Sequence, residues 1–492
     1  MKILAIDQGT TLTKAYVLTD KGEFRSVGRT AHQQFHPANG QVEQDAEELA
    51  CNVEALIDYA LATESGIQGI ALANQGETVV AWDRRTKKPL HHAIVWQDQR
   101  TQPALDALPS DARAYIKTRT GLPIDAYFSA AKLAWLLKNI PGVADVARAG
   151  HLGLATSDAF FIDRLTNVYS SDVTTASRTS LMDLHSRKWD LELCRIFDVP
   201  LELLPAIQPS AGRFGMVMRA GNEVPLVANI VDQQAALFGH GCRKPGDTKI
   251  TFGTGSFALV NTGHVPVLDQ TGMTPTVAWS HSGEPPVYAL DGADYTASAA
   301  VNWAISLGLA KDVTEIHLPE APSALERGLV FVPALAGLAA PHWDRAAAGL
   351  WIGLRQNTTA ADMCCAVLEG IALRAVELIE SLPTSSDKPI SVDGGLSEIS
   401  SFVRFFADAL GRPVRLSESP DVTALGAAEL GFVGLGSNPP PRAVPRNDQL
   451  ILPTAASPAI RSLRQTFSQA IAASRAFGQT TALATDLPSR SF

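Results

Sequence analysis

The residues of this chain best suited to chemistry stand beside glycine-rich turns. Near the start, Asp7, Gln8, Gly9, Thr10 and Thr11 follow an apolar run (Ile3, Leu4, Ile6) and precede a second β-rich run at residues 15–18. A glycine there permits close backbone approach, and threonine N–H and O–H groups are donors for an anion. An acid at the strand end can hold a hydrated Mg²⁺ that accompanies a polyphosphate. An ordinary polar hairpin turn would use the same residues. The device recurs as KITFGTGSFALV at residues 249–260 and as VDGGLS at residues 392–397. Away from these turns, Asp232-Gln233-Gln234 lies between an apolar run and the helix-like AALFGHG. A carboxylate so placed can accept the proton of an acceptor hydroxyl in phosphoryl transfer, and an acid just ahead of a helix equally suits a cap. Glu77 follows another apolar run and can bond a polyol hydroxyl or serve as a loop acid. Trp96 and Tyr127 can meet a sugar-like ligand or belong to the core.

Elements must position these groups. Two short strands with a Gly/Thr turn over residues 3–20 make a hairpin, and residues 249–260 make its echo. Leu49, Val53, Leu56, Ile57 and Leu61 recur at helical spacing and predict a helix over 45–63. Strands are expected over 67–73 and 78–82. The first ends at Asn74-Gln75-Gly76-Glu77, where an open α/β sheet tends to bind its ligand. Residues 126–140 predict a helix capped by Ser129, with Leu133, Leu136, Leu137 and Ile140 on one face. Further helices are expected over 157–166, 297–309, 360–382, 400–410 and 459–476, with strands over 225–231 and 413–416. The small-residue stretch TALGAAELGFVGLG suits either a helix pressed against a neighbouring backbone or ligand, or a tight core helix. The last residues are expected to fray. A Gly/Pro-containing bend at 241–246 marks the expected boundary between domains 1–242 and 243–492.

At 492 residues the chain is too long for one core, so two domains are expected. An apolar content of 46% and a charged content of 18% describe an ordinary soluble globular protein. The net charge of −9 argues against nucleic acid or an anionic membrane as partner. Five cysteines without CxxC spacing supply neither a disulfide framework nor a zinc site, which fits a reducing cytoplasm. The chain starts directly with a strand, so no signal peptide is expected. The most apolar stretch, 328–341, falls short of the ~20 residues a membrane helix needs. Neither GxxxxGK[ST] nor GxGxxG occurs, so the commoner phosphate-binding loops are not supported.

Three glycine turns in two halves of one chain suggest two similar lobes gripping one nucleotide. That is an α/β, two-lobed actin-like/hexokinase-type (ribonuclease H-like) ATPase fold with its active site in the interdomain cleft. The chain resembles the FGGY-family carbohydrate kinases and is most similar to their glycerol kinase branch. YFSAAKLAWLLKN (127–139) and GLWIGLRQNTTAADMCCAVLE (349–369) match two family signatures. AIDQGTT, NQGETVVAWD, AIVWQDQRT, TTASRTSLMDLH, DQQAALFG, FGTGSFALVNTG, FVPALAGLAAPHWD and VDGG carry the likeness to the branch. The resemblance spans residues 3 to about 436. It implies ATP-dependent, Mg²⁺-assisted phosphorylation of a terminal hydroxyl on a small polyol or sugar, with lobe closure excluding water. Asp232 would be the general base, with Gln233 beside it on the substrate. Glu77, Gly76, Trp96, Tyr127 and Phe257 would line the polyol pocket. Asp7 would hold Mg²⁺ through water, and Thr10, Thr11 and Lys14 would lie near the transferring phosphate. Gly253 and Thr254 would meet the nucleotide phosphates, and Ser298, Asn302, Gly395 and Leu396 would border the adenosine. The resemblance also raises the expectation of a homodimer or tetramer.

Three departures stand out. Gly76 occupies the place of an arginine that helps hold glycerol, which forfeits a charged bond worth roughly 1.5–3 kcal/mol and opens space. A longer polyol or a ketose of the erythritol, threitol, xylulose or ribulose type is therefore the alternative acceptor. Lys14 replaces an arginine, keeping charge and losing bidentate geometry. GMVMRAGNEVP (215–225) lacks the Gly-Gly-Arg loop by which some relatives bind fructose bisphosphate. Two further classes compete: a non-kinase ATPase switch, which has no need of Glu77, Trp96, Tyr127 or Asp232, and a sugar-binding regulator, which normally adds a DNA-binding segment.

Overall fold

The computed structural model describes residues 1–268, 271–318, 322–417, 419, 421–441, 450–455 and 457–485. Its first half is built on a six-stranded sheet. In chain order the main elements there are β1 (Lys2–Gln8), β2 (Leu12–Thr19), β3 (Phe24–Ala31), α1 (Ala46–Thr63), β4 (Ile67–Asn74), β5 (Val79–Asp83), α2 (Ser129–Asn139), β6 (Leu152–Thr156), α3 (Ser157–Thr166), β7 (Met216–Arg219), β8 (Asn222–Val231) and α4 (Asp232–Gly239). The sheet order is β7-β8-β4-β1-β2-β3, with β1 parallel to β4 and β4 parallel to β8. Both faces of this parallel centre are covered, so its strands are continuous apolar runs: Ile3, Leu4, Ala5 and Ile6 are fully buried.

The second half repeats the plan with β9 (Thr248–Phe252), β10 (Ser256–Gly263), β11 (Thr274–Trp279), β12 (Val287–Asp294), α5 (Ser298–Ser306), α6 (Ala360–Glu380), β13 (Ile390–Asp393), α7 (Ser400–Leu410), β14 (Val414–Leu416), α8 (Val422–Gly434), β15 (Leu450–Ile451), α9 (Ser457–Ser462) and α10 (Arg464–Thr485). Its order is β11-β12-β10-β9-β13-β14-β15. In each sheet a central hairpin has an antiparallel strand on one flank and parallel strands on the other. This is the expected two-lobed α/β architecture.

Several expected elements begin or end elsewhere. The helix expected over 126–140 is α2, and Ser129 is its first residue rather than its cap. Asp125 accepts the Tyr127 N–H at 2.8 Å and turns the chain before the helix starts, while Ser129 Oγ donates to the Glu77 carbonyl at 3.2 Å. Asp232 is likewise the first residue of α4 and not its cap: Val231 takes the cap position, and Asp232 Oδ1 accepts the adjacent Gln233 N–H at 2.7 Å. The pattern over 459–476 divides into α9 and α10. The expected fraying at 486–492 lies outside the described residues.

The small-residue stretch becomes α8, which lies against β1, β4, β8 and α4 of the first half. A Cβ on Gly426 would stand 1.9 Å from the Ala235 carbonyl oxygen, and one on Gly239 would stand 2.0 Å from that of Val422. Glycines therefore let α4 and α8 touch backbone to backbone, as the first reading of that stretch has it, and Ala424, Ala427, Ala428 and Leu430 lie in the core, as the second has it. No helix among the described residues is long and apolar enough to cross a membrane.

Candidate active site

The carboxyl ends of β1, β4 and β8 lie side by side, with Asp7 opposite Ala73 and Val231 opposite Asn74. That alignment brings Asp7, the Gln75–Glu77 turn and Asp232 to one edge of the sheet. Across the hairpin Asp7 pairs in register with Lys14. The Lys14 ammonium donates to Asp421 Oδ2 at 2.7 Å and stands 3.6 Å from Asp7 Oδ2. Asp421 also caps α8 by accepting the Ala424 N–H. Burial and then the Asp421 charge push the Asp7 carboxyl well above the usual range, against the pull of Lys14. Burial draws Lys14 down, yet its two carboxylates outweigh that and hold the ammonium above its ordinary value. Asp7 Oδ1 is buried with no hydrogen-bond partner among the described residues.

The turn after β1 is closed by Gly9 N–H to the Leu12 carbonyl at 3.0 Å. Thr10 is held from three sides. Gln44 and His32 donate to its carbonyl at 2.6 and 2.9 Å, and the Trp96 indole donates to its hydroxyl at 3.0 Å. Thr11 is left exposed.

Beyond β4, Thr78 N–H donates to the Gly76 carbonyl at 2.7 Å, and Glu77 takes a left-handed φ of 58°. A non-glycine residue held there is strained, and such turns gather at functional sites. The turn sends the Glu77 side chain inward, where it is 3% exposed and accepts Arg178 Nε at 2.6 Å. Burial raises the Glu77 pKa and Arg178 opposes the rise. Trp96 packs edge-on against Tyr127 and Phe257, with ring centroids 5.7 and 5.8 Å apart. Asp232 is only half-buried. Its pKa is raised to about 7, first by burial and then by the Glu77 charge, with Lys249 opposing. Lys249 is fully buried and donates to the Gln233 side chain and to Thr251 Oγ1.

Facing these groups, the β9–β10 turn is fastened to the start of α5. Ser298 N–H donates to the Gly253 carbonyl at 3.0 Å, and Ala297 N–H to the Thr254 carbonyl at 2.8 Å. Between the two halves lies a cleft of about 490 Å³. Thr10, Thr11, Lys14, Gly76, Glu77, Trp96 and Tyr127 line it from the first half, together with Asp232 and Gln233; Gly253, Thr254, Phe257, Ser298 and Gly395 line it from the second. Three expected site residues stand apart. Asp7 is buried behind Lys14, Leu396 is packed in the core of the second half, and Asn302 is exposed on α5 outside the lining. Arg178, Asp291, Thr251 and Gln234 also line the cleft, and the sequence does not single them out. Arg178 lay within the recognised TTASRTSLMDLH stretch. Nothing in its spacing announces partners as remote in sequence as Glu77 and Asp291.

Residues 2–239 match the N-terminal domain of the FGGY family of carbohydrate kinases, and residues 248–435 match its C-terminal domain. The chain belongs to that family. A glycerol kinase of Deinococcus radiodurans is 39% identical over 446 residues, covering 88% of this chain and 89% of its own. One from Trichlorobacter lovleyi is 40% identical over 448 residues, covering 88% and 90%. The crystal structure of Plasmodium falciparum glycerol kinase with ADP superposes with a TM-score of 0.79 at 28% identity, covering 99% of both chains. A xylulose kinase from Lactobacillus acidophilus, 21% identical with a TM-score of 0.82 over 96% of this chain and 99% of its own, shares the fold. The protein is thus an ATP-dependent phosphotransferase for a small polyol or sugar, of the glycerol kinase-like kind.

Proposed function

We propose that this kinase transfers the γ-phosphoryl group of ATP to a terminal hydroxyl of glycerol or a similar small polyol, with Asp232 as general base. The observation that carries the reading is the placement of Asp232, its pKa moved to about 7, across the cleft from the Gly253–Thr254 turn. A base is most effective when its pKa lies near the working pH. Glu77 and Gln233 bond the other hydroxyls, and Trp96, Tyr127 and Phe257 pack against the carbon chain. As Asp232 takes the hydroxyl proton, the oxygen bonds to the γ-phosphorus and the bond to the β–γ bridging oxygen breaks, releasing ADP. Thr10, Thr11 and Lys14 face the transferring group, and Gly253, Thr254, Ser298 and Gly395 hold the nucleotide. Closure of the halves keeps water from taking the acceptor's place.

The residues also suit Mg²⁺. Among the described residues Asp7 Oδ1 is a buried carboxylate oxygen without a partner, and no group of three or more metal-ligating side chains occurs. One carboxylate acting beside phosphate oxygens and water is what such a cation takes in kinases. When bound, Mg²⁺ supplies charge neutralisation for the polyphosphate. Five free cysteines favour a reducing cytoplasm as its compartment.

The test is coupled ADP release with Mg-ATP over glycerol, dihydroxyacetone, erythritol, threitol, xylitol, ribulose and xylulose. We expect turnover on a small polyol. In Gly76→Arg, a Cβ at residue 76 would stand 3.1 Å from Val231 Cγ1, a contact a small shift relieves. That variant is expected to narrow the acceptor range towards glycerol, with KM for glycerol falling roughly tenfold or more, the worth of one charged hydrogen bond, and KM for longer acceptors rising as the space closes. Absence of stimulation by every acceptor, with ATP binding intact, would refute the reading.

A further inference from the structure

Arg178 is 2% exposed, and its donors are divided between the two halves of the molecule. Nε donates to Glu77 Oε1 at 2.6 Å in the first half. Nη1 donates to Thr274 Oγ1 at 3.1 Å and Nη2 pairs with Asp291 Oδ2 at 2.9 Å, both in the second. The rings of Tyr127 and Phe128 flank the guanidinium. Asp291 lies on β12, three residues before Asp294, and β12 runs beside β10 with Asp294 opposite Ser256. The Asp294 carbonyl oxygen closes on Gly255 so tightly that a Cβ there would stand 2.3 Å away. The same turn, Gly253–Thr254–Gly255, is fastened to the start of α5. A continuous series of bonded or packed groups thus runs from the acid expected to hold the polyol to the turn expected to hold the phosphates.

Resting on the reading above, we infer that Arg178 is a positioning residue that couples the two substrates: it fixes Glu77 for the polyol and, through Asp291, sets β12 and the phosphate turn in the arrangement that binds ATP. The two states it biases are the open and closed cleft. A polyol that orders Glu77 then tightens nucleotide binding, and by linkage the nucleotide tightens polyol binding by the same factor. A second buried ion pair also joins the halves and serves as the contrast. Arg345 donates to Asp125 at 2.6 and 3.0 Å and stacks over Tyr295, with no bond to Glu77.

The experiment is calorimetric titration of a non-hydrolysable ATP analogue with Mg²⁺, with and without saturating acceptor, on the whole protein. The wild type should show the acceptor tightening the analogue by about fivefold or more. Asp291→Asn should bring that factor close to one, whatever its effect on analogue affinity without acceptor, and Arg345→Gln should preserve the factor. A full coupling factor in folded Asp291→Asn overturns the inference, as does an equal loss in Arg345→Gln, which would mark a general loosening of the interface. Should Asp291→Asn fail to fold, Thr274→Val removes one bond from Arg178 and the bond from the Thr274 hydroxyl to the Asp291 carbonyl, and decides: reduced coupling supports the inference, unchanged coupling overturns it. A wild type that binds ATP and no acceptor at all refutes the polyol reading itself and the inference with it. Acceptor binding with intact coupling in the variants refutes the inference alone.

Discussion

The β1–β2 and β9–β10 turns share a backbone plan and almost nothing else. Each joins an antiparallel hairpin, and each has a parallel strand, β4 or β13, beside its first strand. The first turn is surrounded by charge. Asp7 and Lys14 face each other across it, Asp421 reaches in from α8, and side chains fix Thr10 from three directions. The second carries no charged residue of its own, Lys249 and Asp393 standing beside Thr251, and it is fixed by main chain. Gly255 lies under the Asp294 carbonyl, and Gly394, at a φ of 91°, lies under that of Phe252, where a Cβ would stand 2.4 Å away. One fold element, used twice, thus divides its labour. The first turn places ionisable groups where burial changes their proton affinity, and the second turn supplies shape and main-chain groups, with the buried Lys249 and Asp291 standing on the strands behind it.

If the chemistry lies in the first half, its carboxylates should be the most sensitive positions. Asp232→Asn is expected to lower kcat by roughly 10²–10⁴, the worth of a general base, while acceptor binding persists in calorimetry. For the wild type, kcat/KM should fall with unit slope as pH drops below about 7, where Asp232 takes up its proton. Burial is the larger cause of that raised pKa and the Glu77 charge the second. Glu77→Gln should therefore move the acid limb to lower pH, besides raising KM for the acceptor. The stability consequence has the opposite sign. A folded pKa near 7 against 3.8 for an ordinary aspartate means that Asp232 favours the fold most below pH 4, and that this contribution is lost as pH rises to 7. Asp232→Asn should accordingly melt above the wild type at pH 8, with the difference closing below pH 4. Equal melting temperatures at pH 8 would show that Asp232 carries no burial penalty.

Asp7 comes next in size. Its oxygen without a partner among the described residues and its raised pKa describe a carboxylate short of positive charge, despite Lys14. Asp7→Asn should raise the Mg²⁺ concentration for half-maximal activity on the order of 10–100-fold, as loss of an outer-sphere metal partner does. Acceptor affinity measured without nucleotide should stay at the wild-type value. An unchanged Mg²⁺ requirement would remove Asp7 from the metal site.

Local signals made much of this legible. Strand runs ending in Gly/Thr turns located both hairpins, and the residue types at strand ends located Asp232 and Glu77. Position relative to a helix end was harder to read. Asp232 and Ser129 suit the cap position because acids and serines often take it, yet the chain turns at Asp125, which accepts the Tyr127 N–H, and at Val231, so that each becomes the first residue of its helix. Arg178 escaped because a buried arginine is defined by partners that only the fold brings together, here from both halves. Leu396 shows the converse. It stands one residue beyond a cleft-lining glycine, and its side chain turns into the hydrophobic core. The sequence neighbourhood identified the turn but not the direction in which each side chain leaves it.

The smallest effect separates the two turns most cleanly. Gly255→Ala pushes a methyl against a main-chain carbonyl that cannot step aside, so overpacking should cost roughly 1–3 kcal/mol in urea unfolding. At Gly9 the new Cβ would meet only the Leu12 carbonyl oxygen, at 3.4 Å and with φ outside the left-handed region. Gly9→Ala should therefore leave stability unchanged or raise it by about 0.4–1 kcal/mol through the unfolded chain. If the turn also needs room for a phosphate, that same variant should raise KM for ATP at undiminished stability. A destabilised Gly9→Ala would mean that the first turn, like the second, keeps its glycine for the fold; a stable variant with impaired ATP use would mean that it keeps it for the ligand.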